Sequence, residues 1–130
     1  MSDASLKMIV VGYDGTVAAE RALARSAELA RAFESTIVVA DVVAPEPLRT
    51  TPGAFGFMPY DIPTVELGTR TSETLWQQHR ARIDALFARA GVRHEFAGAI
   101  GQPVAEIVEI AQQYDADLIV VGTREPGFLA

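Results

Sequence analysis

The fold is decided by the segment MIVVGYDGTVAAERALARSAELA, residues 8–30, which joins two patterns in tandem. It opens with a short β-branched run bounded by Gly12, and such a run is typical of a strand buried on both faces. Apolar residues then recur at helical spacing, with charged residues mostly on the opposite side. The buried stripe predicted for this helix comprises Ala22, Leu23, Ala27, Ala30 and Phe33. Thr16 is placed to cap the helix. The segment therefore predicts a strand, Met8 to Asp14, followed directly by an amphipathic helix.

The pairing of strand and helix recurs along the rest of the chain. STIVVADVV (35–43) and DLIVVG (117–122) have the same strand pattern, and RHEFAGAI (93–100) is a weaker strand. A long helical pattern runs from Thr64 to about Ala90. Pro103 stands where a first-turn proline belongs, at the start of a helix that ends near Asp115. The buried stripe predicted for that last helix comprises Val104, Ile107, Val108, Ala111 and Tyr114.

Residues 44–63 interrupt this alternation, since they contain five of the seven prolines in the chain. Each proline removes a backbone donor and restricts the residue before it, so we predict an irregular insert or loop there. The order β-α-β-loop-α-β-α-β favours an α/β fold: an open parallel sheet with helices on both faces, Rossmann-like, in one domain spanning residues 1–130.

Composition narrows the classes of function. The chain has 130 residues, a formal net charge of −6 and no cysteine. An acidic chain without clustered Lys and Arg argues against nucleic acid or an anionic membrane as the partner. The apolar run near the N-terminus is too short for a signal peptide or a membrane span. We therefore expect a cytoplasmic protein.

Three strand ends carry candidate ligand contacts, because ligands of open parallel sheets bind beyond the carboxyl ends of the strands. In GYDGT, Asp14 and the following N–H groups face a ligand, or else Asp14 or Thr16 only caps the helix. In ADVV, the backbone of Val42 or its neighbour is placed to edge a flat ring. In VGTRE, residues 121–125, Gly122 and the turn after it are placed to present N–H groups to a phosphate.

No catalytic constellation is evident, so we expect no enzymatic activity. The chain has no P-loop, dinucleotide-binding glycine motif, nucleophile elbow or HExxH sequence. His79 and His94 lack spaced partners for a metal and are interpreted as structural or exposed. Trp76 is interpreted as a packing residue.

Three segments resemble the universal stress protein family: residues 8–30, residues 35–43, and GQPVAEIVEIAQQYDADLIVVGTR, residues 101–124. The resemblance implies the parallel fold given above and, since many members bind ATP while others do not, a nucleotide site. By position it implies nucleotide contacts from Gly12 and Asp14, and a backbone contact from Val42 to adenine. It also implies that Gly122 is the first glycine of the family motif GxxG-(nine residues)-G-S/T, with Thr123 and Arg124 beside the ribose and phosphates.

The chain departs from this motif after Arg124. Glu125 stands where the second glycine is expected, and the later G-S/T pair and fifth strand are missing from the sequence. A carboxylate about 4 Å from a phosphate charge would cost on the order of 1–4 kcal/mol unless it points away or Mg2+ intervenes. We expect the chain to be a C-terminally incomplete piece of a longer protein. We also expect an open sheet edge beside the fourth strand, which invites a homodimer.

Two functions follow from these observations. The first is a regulatory module that binds an adenine nucleotide, ATP with or without Mg2+, at the strand ends. The alternative is an interaction module without nucleotide that acts through dimerisation or through the aromatic residues of the insert, Phe55, Phe57 and Tyr60. That insert could equally fold over the sheet as a lid. An enzymatic role lacks any base, nucleophile or metal cluster.

Overall fold

A computed structural model of the chain describes residues 6–44 and 64–122. The strands are β1 (Met8–Tyr13), β2 (Thr36–Val43), β3 (Arg93–Ile100) and β4 (Leu118–Val120), and the helices are α1 (Val17–Phe33), α2 (Thr64–Ala90) and α3 (Pro103–Gln113). This order is the one that the sequence predicts. The expectations for residues 45–63, Thr123, Arg124 and Glu125 lie outside the described residues.

The four strands form one parallel sheet in the order β3-β2-β1-β4. Val10 of β1 pairs with Val38 on one side and with Ile119 on the other. The predicted open parallel α/β sheet is therefore confirmed. The chain adds β2 and β3 on one side of β1 and then places β4 on the other side, so the strand order reverses between β1 and β4.

Helices cover both faces of the sheet. Alternate strand residues point to opposite faces, so each strand contributes side chains to both layers. Helices α1 and α2 cover one face, where the buried residues include Ile9, Val11, Leu23, Ile83 and Phe87. Helix α3 covers the other, where they include Val10, Val38, Ala40, Ile110 and Ala111. Each fully buried Val, Leu or Ile side chain contributes about 1.5–3 kcal/mol to stability. Because both faces of β1 and β2 are buried in these two layers, the sequences of both strands are almost continuously apolar.

The predicted helix stripes are wrong at three positions. Val104, Val108 and Phe33 are 66%, 42% and 46% exposed. In α3 only Ile110 and Ala111 are buried, with Ile107 packed beside them, because the sheet covers a narrower strip of the helix than its apolar pattern suggests. Phe33 is the last residue of α1, and the chain turns away at Glu34, which has a left-handed φ of 58°.

The last strand is shorter than predicted. Only Leu118–Val120 pair with β1, whereas the sequence pattern extends over residues 117–122. Its start is fixed by Asp117, whose Oδ2 accepts hydrogen bonds from the backbone N–H groups of Lys7 and Met8 at 2.8 and 3.0 Å.

Within residues 6–44 and 64–122, no helix is long and apolar enough to cross a bilayer.

Candidate functional site

A cavity of about 410 Å³ opens at the carboxyl end of the sheet, where the strand order reverses. This is the position at which open α/β sheets bind ligands, and the volume falls in the usual range for small-molecule sites. Five of the seven residues predicted from the sequence line the cavity: Gly12, Asp14, Thr16, Val42 and Gly122. They come from the ends of three different strands. Thr123 and Arg124 lie outside the described residues.

The β1–α1 turn is built by Asp14 and Thr16. Oδ1 of Asp14 accepts hydrogen bonds from the backbone N–H of Thr16 at 3.0 Å and from its hydroxyl at 2.7 Å. The Thr16 hydroxyl in turn accepts from the N–H of Ala19 at 3.1 Å, which caps α1. Thr16 is thus the helix cap that the sequence predicts. Asp14 orients this cap and is itself exposed at the cavity, so the two interpretations of the GYDGT stretch are compatible.

Two glycines of the cavity have packing reasons of their own. A Cβ atom on Gly12 would lie 2.9 Å from Cδ1 of Ile107, the far end of a side chain that has to shift to admit it. A Cβ atom on Gly122 would lie 2.3 Å from the backbone oxygen of Ala18, which no rotamer change can relieve. Glycine at position 122 is therefore required by the fold before any ligand is considered, whereas at position 12 it avoids a side-chain contact.

Part of the cavity lining is apolar. Val42 lies on it and is only 8% exposed, with Ala40 two residues earlier on the same face of β2. Helix α3 contributes Val104 and Ile107. A cavity lined by apolar side chains together with an exposed carboxylate suits a flat heterocycle that carries hydroxyl groups.

A series of hydrogen-bonded polar and charged side chains links α2 to α1 and to the end of β1. The Tyr13 hydroxyl donates to Oε2 of Glu20 at 2.5 Å, and Arg82 of α2 holds both carboxylate oxygens of Glu20, at 2.7 and 3.1 Å. Arg82 lowers the pKa of Glu20, whereas burial and the carboxylate of Glu20 raise the pKa of Tyr13 far above its usual value. Tyr13 also lines the cavity, so this chain of contacts reaches it.

Sequence reasoning missed a buried contact between an aspartate and a histidine next to the cavity. Asp41 of β2 is 1% exposed, and its Oδ2 lies 2.5 Å from Nδ1 of His79. Burial raises the pKa of Asp41, and the hydrogen bond to His79 opposes that rise. The signal was present in the sequence: a single charged residue interrupts the apolar run TIVVADVV, and a charge in a buried strand requires a partner.

The described residues offer no ready metal centre. Among residues 6–44 and 64–122, no three His, Asp or Glu side chains come together as ligands. Asp14 is the exposed carboxylate of the cavity, and the next carboxylate in the neighbourhood, Asp41, is engaged with His79.

The chain has the architecture of a Rossmann-like α/β domain with a cavity at its switch point. The model of the universal stress protein family matches residues 6–130. The chain belongs to the universal stress protein family, as the sequence resemblance implies. Comparison with curated proteins found no match.

Solved structures support the fold. Universal stress protein UspA from Lactobacillus plantarum is 23% identical, with a TM-score of 0.70 over 95% of this chain and 83% of that one. A universal stress protein in complex with cAMP is 23% identical, with a TM-score of 0.57 over 89% and 71%. A universal stress protein family protein from Arabidopsis thaliana with AMP bound is 16% identical, with a TM-score of 0.56 over 93% and 79%.

Proposed function

We propose that this chain binds an adenine nucleotide in the cavity at the switch point of the sheet. The observation that carries the proposal is the meeting of five residues, predicted from three separate strand ends, around one cavity of about 410 Å³. The neighbours solved with AMP and with cAMP support the choice of an adenine nucleotide.

The cavity suggests how the nucleotide is oriented. Adenine lies against the apolar wall formed by Val42 and α3, where its flat ring is removed from water. The ribose hydroxyls donate to the carboxylate of Asp14, which is exposed at the cavity. Hydrogen bonds to a charged acceptor contribute about 1.5–3 kcal/mol, so Asp14 is the main polar anchor.

The phosphates extend past Gly122 toward Thr123 and Arg124. ATP is the nucleotide that the resemblance to the family favours, and the guanidinium of Arg124 suits its triphosphate. Glu125 follows directly, so Mg2+ bound to the phosphates would offset the charge of that carboxylate. The biological output is regulatory: the nucleotide state changes the shape of a cytoplasmic protein or its assembly into a homodimer.

Calorimetric titration with ATP and AMP, each with and without Mg2+, tests the proposal. We expect saturable heat with both nucleotides, and a larger gain from Mg2+ for ATP than for AMP, since AMP has a single phosphate. Asp14→Asn is the matched variant, because an amide oxygen still accepts the hydrogen bonds of Thr16 while the charge is removed. Heat equal to that of dilution for both nucleotides at millimolar concentration would refute the proposal.

Glu125 favours a second candidate, an interaction module that binds no nucleotide. This residue stands where the family motif has its second glycine. Such a module would act through dimerisation or through Phe55, Phe57 and Tyr60 of the insert. Sedimentation velocity with and without ATP separates the two functions, because an assembly state that responds to nucleotide is expected only of the first.

A further inference from the structure

The His79 side chain of α2 lies between a buried strand carboxylate and the turn that borders the cavity. On one side its Nδ1 is 2.5 Å from Oδ2 of Asp41. On the other side a Cβ atom built on Gly15 would lie 3.0 Å from its Nε2 and 3.4 Å from its Cε1. The ring therefore fills the space directly beneath Gly15. Because its side chain is only 17% exposed, the ring is a packed element and not a surface group.

Asp41 fixes the orientation of this ring. A carboxylate that is 1% exposed is costly unless it is paired, and its second oxygen, Oδ1, has no hydrogen-bond partner in the described part of the chain. The contact with His79 is thus the compensation for this buried group. Nδ1 is the ring nitrogen that faces Asp41, and Nε2 lies on the side of the turn.

The turn above the ring has little freedom to adjust. Gly15 has a φ of +84°, a conformation that side chains rarely adopt, and it stands between the two residues that hold the α1 cap, Asp14 and Thr16. The ring of Tyr13 meets His79 edge to face, with the ring centroids 5.0 Å apart. His79 therefore contacts Tyr13 and Gly15, the two residues on either side of Asp14 in the sequence.

Arg82 gives α2 a second hold on the same region. It lies three residues after His79 and reaches Tyr13 through Glu20. The charged and titratable groups around His79 are thus Asp41 on β2, Tyr13 on β1, Glu20 on α1 and Arg82 on α2 itself. Helix α2 thus contacts the β1–α1 turn at Gly15 through His79 and contacts α1 at Glu20 through Arg82.

From this arrangement we infer that His79, oriented by Asp41, is a positioning residue of the ligand cavity: it holds the β1–α1 turn so that Asp14 faces a bound nucleotide. The inference rests on the proposed nucleotide binding and deepens it, because it makes the affinity of the cavity depend on a residue that does not touch the ligand. A shift of α2 would then move the β1–α1 turn through His79 and so change the affinity of the cavity for its ligand.

The chain supplies a matched control in His94. Its Nε2 lies 2.6 Å from Oδ1 of Asp84, and its side chain is 18% exposed, much like that of His79. It also contacts an aromatic ring, Phe87, at 5.1 Å between centroids. Neither His94 nor Asp84 lines the cavity. Truncation of His94 therefore removes a His–Asp contact that does not line the cavity, although Asp84 is 53% exposed and Asp41 is buried.

The experiment compares His79→Ala with His94→Ala by AMP titration and by amide hydrogen exchange without ligand. We expect AMP affinity to fall about tenfold in His79→Ala and by less than about twofold in His94→Ala. In the free protein, exchange of the Thr16 and Ala19 amides, whose acceptors are Asp14 and Thr16, should accelerate about tenfold only in His79→Ala. The Ala116 amide, bonded to the carbonyl of Ala111, is the internal reference, because it involves neither histidine.

The outcomes separate the inference from the proposed function. If the wild type binds neither AMP nor ATP, the proposed function fails, and with it the role of His79 toward a nucleotide. If the wild type binds AMP but both variants bind it equally well, the inference is overturned while the proposed function stands. Equal exchange rates of the Thr16 and Ala19 amides in both variants also overturn the inference.

If His79→Ala does not fold, His79→Asn takes its place in the same comparison. Asparagine keeps a donor for Asp41 but removes the ring from beneath Gly15.

Discussion

Gly122 and Ala18 approach so closely that a Cβ atom on Gly122 would lie 2.3 Å from the backbone oxygen of Ala18. The end of β4 is thereby pressed against the first turn of α1, the helix that Thr16 caps. This contact brings the β1 and β4 strand ends together and so closes one side of the cavity. The glycine expected to meet a nucleotide is also the residue that allows the cavity to form.

Gly122→Ala should therefore destabilise the protein even in the absence of nucleotide. We expect a loss of about 2 kcal/mol in the free energy of unfolding, since backbone has to move to admit the methyl group. Gly91→Ala is the control: Gly91 has a φ of +73° but nothing within 4 Å of an added Cβ, so only the conformational strain of about 1 kcal/mol applies. Urea unfolding of the free proteins measures both. A Gly122→Ala variant as stable as the wild type would show that Gly122 has no packing role.

Asp14→Asn should weaken nucleotide binding and leave the fold intact. The amide oxygen still accepts from Thr16, so the cap of α1 is kept, whereas the charge offered to the ribose is lost. We expect AMP affinity to fall about tenfold, the equivalent of the 1.4 kcal/mol that separates a charged from a neutral acceptor. Thermal unfolding should change little. Thr16→Ala is the reverse case, with about 1 kcal/mol of stability lost through the cap. Equal AMP affinity in wild type and Asp14→Asn would remove Asp14 from the site.

The strand and helix order could be predicted from sequence because each element carries its own local pattern. The runs 8–14 and 35–43 were placed within one residue of β1 and β2, since β-branched residues buried on both faces leave a continuous apolar signal. Gly12, Asp14, Val42 and Gly122 could be placed at one edge because parallel strands end on the same side.

Other features depend on the tertiary packing and could not be predicted. The partner of Asp41 is His79, 38 residues away and beyond the proline-rich insert, and no local periodicity connects the two. Val104 belongs to the apolar stripe of α3 yet is exposed, because periodicity shows which residues share a helix face and not how far the sheet extends beneath them. Tertiary packing decides both.

The ion pair between Glu20 and Arg82 should make the fold sensitive to acid. A carboxyl whose pKa is lower in the folded state binds fewer protons there, so its contribution is complete above the unfolded value near 4.3 and is lost as pH falls through the folded value. In Glu20→Gln the free energy of unfolding should therefore fall less steeply with decreasing pH than in the wild type, below about pH 4.5. Glu28→Gln, which breaks an exposed pair with Arg25 at 3.3 Å, should leave the slope closer to that of the wild type. Identical slopes in Glu20→Gln and wild type, measured by denaturant unfolding across this range, would contradict the assignment.

Val104 and Val108 provide a matched pair for testing where the nucleotide lies. Both are exposed on α3, one helical turn apart, but only Val104 lines the cavity. A glutamate at Val104 would replace part of the apolar wall proposed for adenine with a charged group. Its charge would also repel the phosphates of the same nucleotide, and at about 10 Å that repulsion costs on the order of 1–2 kcal/mol at a surface-like dielectric. We therefore expect Val104→Glu to reduce ATP affinity about tenfold or more and Val108→Glu to reduce it by less than about twofold. Both variants should fold, because neither valine is buried. At Val104, which lies in the first turn of α3, a carboxylate is also favourable. Calorimetric titration at two salt concentrations measures the difference, which should shrink as salt screens the charge. Equal loss in both variants would mean that the charge acts at a distance and that the nucleotide is not in this cavity.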